Sequence, residues 1–381
     1  MSVADIVFWV ALGLLGYTYA GYPLLLGLLC LLAPRRTPPV TDDWPGLTVL
    51  VAAHNEEATI DGKIRNILAC DYPDDRVEVV VCSDGSTDRT NAIVEDFGDA
   101  RVHLAATEEN RGVNEAFAHG AAQASGDLLL MTDAAGLFEP DAFKTAIRHF
   151  ADPKVACVNG LFDHSDPGRR AVASGYRGYW AVETLIKLAE MRLGLACVIV
   201  GAFEVIRRER YRPFPSHLSN DMGVPLELHA QGYRVVYEPR AVVRAPQRRT
   251  AGQEFRRRAR MAVRGWGALP AMLRSVPPWK TPVNWLALLS HKHLRWLSGC
   301  LMLAVLAANV LLADRPFYQA TLAVQGAFYA VALVGGVLTA AGRRVRLVTL
   351  PFYFCLVHAA ATAGLVQALA GRRIRTWTEE D

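Results

Sequence analysis

VEVVVCSDGSTD, residues 77 to 88, decides how this chain is built. An apolar run with almost no polar alternation reads as a strand buried on both faces. It stops at Asp84 and Gly85, where glycine allows a tight turn, and Ser86, Thr87 and Asp88 suit the cap of a helix starting near Thr87. The same grammar holds on either side. LTVLVAA, 47 to 53, is a buried strand, and a helix from Ile60 to Ala69 follows it. Arg101 to Ala105 is a short third strand, Glu115 to Ala124 a helix, and Asp127 to Met131 a fourth strand. This alternation predicts an α/β fold with a mostly parallel sheet covered on both faces. Ligands in such sheets sit outside the carboxyl ends of the strands. Asn55, Asp84 and Asp133 occupy those ends.

The second half of this region is less regular. Tyr176 to Arg192 reads as a helix, and Cys197 to Arg207 and Arg234 to Tyr237 as strands. Arg256 to Leu273 is a basic amphipathic helix with Trp266, suited to a membrane surface and ended by Pro277 and Pro278. Asn284 to Arg295 is a second interfacial candidate.

Hydrophobic residues make up 52% of the 381 residues and charged residues 20%, which fits a mixed protein rather than a wholly soluble one or a pure membrane bundle. A formal charge of +4 is small for this length and argues against a nucleic-acid partner. Seven cysteines, none in a C-x-x-C pair, give no disulfide framework or zinc site and fit a reducing compartment. Ile6 to Ala33 is almost purely apolar, lacks a basic leader and cleavage site, and is long enough to cross a hydrocarbon core of about 30 Å. Further spans are expected at Trp296 to Ala313, Phe317 to Ala340 and Leu347 to Ala370. Arg35, Arg36 and the loop Arg343 to Arg346 favour the cytosolic side, which puts Met1 outside and the α/β region inside. Four crossings then put the basic tail GRRIR, 371 to 375, outside, against its charge. A re-entrant or interfacial span would remove that conflict.

Three aspartates carry the chemistry, and each has a plainer reading. SDGSTD can bind a base or ribose through Asp84, or serve only as turn and cap. Asp133 in TDAAG can hold a divalent cation against a diphosphate, or cap a helix. Asp221 in LSNDMG can act as a general base, or cap the helix that follows.

The blocks HNEE, SDGSTD, NRG, TDA followed by LFEPDAF, GAFEVIRRE, NDMGVPLELHAQGYRVVYEP and RRRARM together resemble the family-2 glycosyltransferases over residues 46 to 275. The terminal spans resemble those of membrane members related to chitin, hyaluronan and poly-N-acetylglucosamine synthases. The resemblance implies a GT-A-type, Rossmann-like mixed sheet flanked by helices, with transmembrane helices at both ends. It divides the chain into an N-terminal transmembrane helix (1–33), a linker (34–45), a cytosolic glycosyltransferase domain (46–275), an interfacial helix (276–295), three transmembrane helices (296–370) and a tail (371–381). Asn55, Glu56 and Asp84 would line the nucleotide pocket, and Asp133 would stand near the metal, Mg2+ or Mn2+. Asp221 would be the catalytic base, and Arg257 and Arg260 would close over the leaving diphosphate.

The implied activity is inverting transfer of a hexosyl or N-acetylhexosaminyl unit from a nucleoside-diphosphate sugar, with a uridine nucleotide expected, to a lipid or glycan hydroxyl. It would serve cell-surface polysaccharide or glycolipid synthesis at the inner membrane. The alternatives are a processive synthase, for which four spans call for a homo-oligomer, and a non-catalytic partner of a polysaccharide assembly. Several positions depart from the family pattern. Ala135 replaces the second acid of D-x-D, which weakens the case for tight metal binding. Val113 stands where lysine is expected, Ser83 where many members have a first Asp, and RRARM replaces Q-x-x-R-W, which weakens the case for processivity.

Overall fold

The computed structural model describes residues 1–34, 41, 43–163, 173–245, 250–343 and 345–374, with the side chains of 173–181 left out. Arg35, Arg36, Arg344 and Arg375, with most of the expected linker and tail, lie outside the described residues.

The chain opens with α1 (Val3–Gly16) and α2 (Tyr22–Leu32), joined by a π turn over Tyr17–Gly21. The α/β unit runs through β1 (Leu47–Ala53), α3 (Ile60–Leu68), β2 (Val77–Asp84), α4 (Thr90–Glu95), β3 (Val102–Thr107), α5 (Val113–Ala121) and β4 (Leu128–Asp133). It continues through β5 (Leu137–Phe138), α6 (Ala142–Ile147), β6 (Val155–Asp163), α7 (Ala173–Leu193), β7 (Glu204–Arg207), α8 (Asn220–Ala230) and β8 (Arg234–Arg244). Five helices follow: α9 (Ala251–Ser275), α10 (Pro282–Leu288), α11 (Leu294–Leu311), α12 (Pro316–Ala340) and α13 (Arg346–Leu369).

The strands form one sheet in the order β3-β2-β1-β4-β7-β6-β8-β5. β1 to β4 pair in parallel, as their apolar runs predict. β7 lies antiparallel between β4 and β6, which makes the sheet mixed. Alternation in β1 builds both faces. Val49 and Val51 join Ile60 and Phe143 on one side, while Leu50 and Ala52 join Phe117 and Leu129 on the other.

Two expected strands change length. Of Cys197 to Arg207 only Glu204–Arg207 is strand. The residues before it are tied elsewhere, with Ile199 N–H donating to the Asp221 carbonyl and Val200 N–H to Asn159 Oδ1. β8 runs past Tyr237 because Pro239 falls at a shift in register, where a missing N–H breaks no ladder bond.

Among the described residues, four helical stretches are long and apolar enough to cross a membrane: Val3–Leu32, Pro282–Leu311, Pro316–Ala340 and Arg346–Leu369. The segments expected separately at 284–295 and from 296 onward are therefore one continuous helix, with a π turn at Leu289–His293.

Candidate active site

The parallel strands end together, so Ala52 of β1 and Asp133 of β4 stand side by side. Above them opens a cavity of about 260 Å3. Its floor is Ala52, Thr132 and Asp133, one wall is Asn114 and Phe117 of α5, and another is Asn220, Asp221 and Met222 of α8. The last wall comes from Met261 and Arg264 of α9 and from Lys292 and Trp296 of the helix 282–311. Asp133 and Asp221, 88 residues apart in sequence, thus face one space.

Asp221 lies in the first turn of α8. The loop leading to it is clamped twice. Asn114 Nδ2 donates to the carbonyls of Pro215 and Leu218 at 3.1 and 3.3 Å. Arg264 donates to those of Ser216 and Leu218 at 3.2 and 3.0 Å. Burial lowers the Arg264 pKa and Asp221 opposes that shift.

Asp133 ends β4 as its last residue. Oδ1 accepts the Gly136 N–H at 2.9 Å, which bends the turn, and Oδ2 has no partner among the described residues. Lys63, fully buried beneath this turn, donates to Thr132 Oγ1 at 3.0 Å and to the Gly136 carbonyl. Burial brings its pKa down to about 7, against the pull of Asp133. A single carboxylate with one oxygen to spare fits a divalent cation that draws its other ligands from phosphate and water. Ala135 is exposed beside it and adds no ligand.

The other expected contacts are placed differently. Asp84 does not line the cavity. It is fully buried, and its oxygens accept the N–H groups of Arg111 and Gly112 at 2.8 and 2.7 Å. Gly112, at φ 99, can turn there as other residues cannot. Asn55 adopts φ 56, and its Oδ1 accepts the Thr87 N–H at 2.8 Å. Glu57 N–H donates to Asp88 Oδ2 at 3.0 Å and Glu57 Oε2 accepts the Arg89 N–H at 3.0 Å, so HNEE and SDGSTD hold each other in place. Glu56 accepts from Thr59 at 2.5 Å; burial raises its carboxyl pKa, with Asp133 and Asp88 adding to the shift. Arg257 and Arg260 do not line the cavity either. Its cations from α9 and beyond are Arg264 and Lys292. Arg264 lies seven residues after Arg257, on the same helical face, so the spacing could have pointed to it. Lys292 carries no motif.

Below this wall, His291 of the π turn is buried between two carboxylates of α7. Its Nδ1 meets Glu190 at 2.9 Å and its Nε2 meets Glu183 at 3.0 Å. Arg295 also donates to Glu183, and Tyr22 of α2 to Glu190 at 2.7 Å. Burial opposes ionisation of Glu183, but His291 and Arg295 hold its carboxyl well below the usual range. Cys197 completes a set of Glu190, Cys197 and His291 atoms within 4.8 Å. Both ring nitrogens of His291 already face carboxylates, so the cluster acts as an ion-pair lock. The seven cysteines are all free thiols.

The pattern of the family described as Glycosyltransferase like family 2 matches residues 45–263. The poly-beta-1,6-N-acetyl-D-glucosamine synthase of Staphylococcus aureus (strain COL) is 28% identical over 235 residues, 59% of this chain and 55% of that protein. The synthase of the same name from Staphylococcus epidermidis is 27% identical over 231 residues, 58% of this chain and 54% of that protein. This chain thus spans about half the length of these relatives. The mannosyltransferase PcManGT from Pyrobaculum calidifontis, solved with GDP-Man and Mn2+, superposes with a TM-score of 0.72 at 23% identity, covering 96% of this chain and 99% of that one. At that identity the likeness shows a shared fold, including the helices that flank the sheet.

Proposed function

This chain belongs to the glycosyltransferase-like family 2, and from that premise we propose an inverting transferase. It moves a hexosyl or N-acetylhexosaminyl unit from a nucleoside-diphosphate sugar, UDP-linked in the first instance, to a lipid or glycan hydroxyl. The reaction takes place on the cytosolic face of the inner membrane. The observation that carries the reading is the shared cavity of Asp133 and Asp221. It lies between the carboxyl ends of the strands and a helix apolar enough to enter the bilayer.

In this mechanism Asp221 takes the proton from the acceptor hydroxyl as its oxygen bonds to the sugar C1. The bond from C1 to the diphosphate oxygen breaks on the opposite face, its electron pair leaves with the nucleoside diphosphate, and configuration inverts. A divalent cation, Mg2+ or Mn2+, held by Asp133 would neutralise charge on the leaving group. The clamp of Asn114 and Arg264 fixes the loop before Asp221, so the base meets the hydroxyl without reorganising. Glu56 borders the Asp133 end, while Asn55 and Asp84 shape the nucleotide pocket through the loops they lock.

The test is Asp221→Asn in the full chain. Donor binding by calorimetry stays near normal, and transfer of radiolabelled sugar to membrane lipid or glycan falls by about 10²- to 10⁴-fold. Turnover retained near the wild-type level removes Asp221 from the role. A second reading, processive synthesis, has the name of the staphylococcal relatives behind it. Product length on a gel separates the two: one added sugar supports single transfer and a ladder supports polymerisation.

A further inference from the structure

We propose that Lys292, backed by the Trp296 ring, binds the phosphate headgroup of an anionic lipid that enters the cavity as acceptor. The inference rests on the sugar-transfer reading and names its acceptor class.

Lys292 differs from His291 and Arg295. His291 and Arg295 are held by carboxylates of α7. The Lys292 ammonium has no hydrogen bond or ion pair among the described residues and stands 5.5 Å from the centre of the Trp296 ring. It lines the same cavity as Asp221. A cation that faces a cavity from a helix apolar enough to cross a membrane marks a binding path more often than a packing accident. It also sits in the π turn Leu289–His293, and such turns interrupt helices mostly at functional sites.

The cavity is polarised. Near Asp133 stands the acid Glu56, which feels both Asp133 and Asp88, with the buried Lys63 beneath the turn. That end suits a cation bridging a diphosphate. Around Asp221 stand two cations, Lys187 and Arg264, that both feel its charge, with Lys187 also feeling Lys292, against one buried acid, Glu204. A second anion, distinct from the donor, therefore belongs at the Asp221 end. Its source follows from depth. Lys292 lies inside the candidate span Pro282–Leu311, at the polar turn two residues before its apolar part Leu294–Leu311. That is the level of lipid phosphates. Gly265 keeps the platform in place, since a Cβ there would meet the Trp296 ring at 2.1 Å.

The experiment uses the full chain in neutral maltoside micelles without sugar donor. The micelles are doped with dioleoyl phosphatidic acid, dioleoylglycerol or inorganic phosphate. A ligand that binds only the folded state raises the unfolding midpoint. Phosphatidic acid is expected to raise it in the wild type and in K280A, which removes an exposed lysine outside the cavity. K292A should need at least tenfold more lipid for the same shift, and K292R should restore most of it. If K292A folds poorly, K292Q takes its place. An equal response of K292A and the wild type overturns the proposal. So does an equal shift with dioleoylglycerol, which makes the tail the ligand, or with inorganic phosphate, which makes the acceptor a soluble phosphate. Because no donor is present, these outcomes leave the Asp221→Asn test of sugar transfer standing on its own.

Discussion

Glu204 is fully buried on β7, and neither carboxylate oxygen has a partner among the described residues. Burial raises its pKa to about 8, with Asp221 adding to the shift; Cys157 and Tyr211 are its other titratable neighbours. The folded state then holds a proton that the unfolded chain releases above the ordinary glutamate value of 4.5. Stability from this group is present below about pH 4.5, falls as pH rises toward 8, and is flat beyond. Glu204→Gln should flatten that decline and unfold at a higher temperature than the wild type at pH 8, with little difference at pH 5. Thermal scans at both pH values check this. Ala135→Asp should add the missing carboxylate and tighten Mn2+ binding by roughly tenfold, read by calorimetry in the presence of donor. Asp133 and Asp221 could be picked from sequence because each acid ends an apolar run or opens a helix. The inward turn of Asp84 could not, because it depends on the Arg111 and Gly112 N–H groups arriving from another loop. Lys63 and Glu204 were also hidden, since burial of a lone charge leaves no pattern in a single chain.

At the scale of elements, α9 was expected to lie on a membrane surface because of its arginines. In the fold it packs along α13. Glu254 and Arg258 of α9 meet Tyr353, and Ala259 and Ala262 meet Gly364. A Cβ on Gly364 would come within 2.5 Å of the Ala259 carbonyl and the Ala262 Cβ. Gly364→Ala should therefore destabilise the protein by about 1–3 kcal/mol, seen as a lower unfolding midpoint in detergent. The split of 284–311 into a surface helix and a span followed from the polar set His291, Lys292, His293 and Arg295. That polarity answers Glu183 and Glu190 on another helix, a match that spacing within one segment cannot reveal. The parallel strands were legible because continuous apolar runs need cover on both faces.

For the whole molecule, the open question from sequence was the side of the basic tail. Phe8, Val305, Leu312 and Tyr318 form a cluster joining α1, α11 and α12 at one end of the bundle, and α13 contributes nothing to it. α13 runs beside the arginine-rich α9 as well as against α12 and α11, and the α9 arginines favour the depth of lipid headgroups over the bilayer centre. Arg372 and the catalytic unit should then share a side. A single cysteine at Arg372 in a cysteine-free background should resist a membrane-impermeant maleimide in intact cells and react after inverted vesicles are prepared. Labelling in intact cells would instead require a fourth crossing.

The lock of Glu183, Glu190, His291, Arg295 and Tyr22 has a practical outcome for anyone who would trim the chain to a soluble piece. Excising 46–275 strips two acids of their counter-ions and exposes the interior to water, so such a fragment should aggregate on expression.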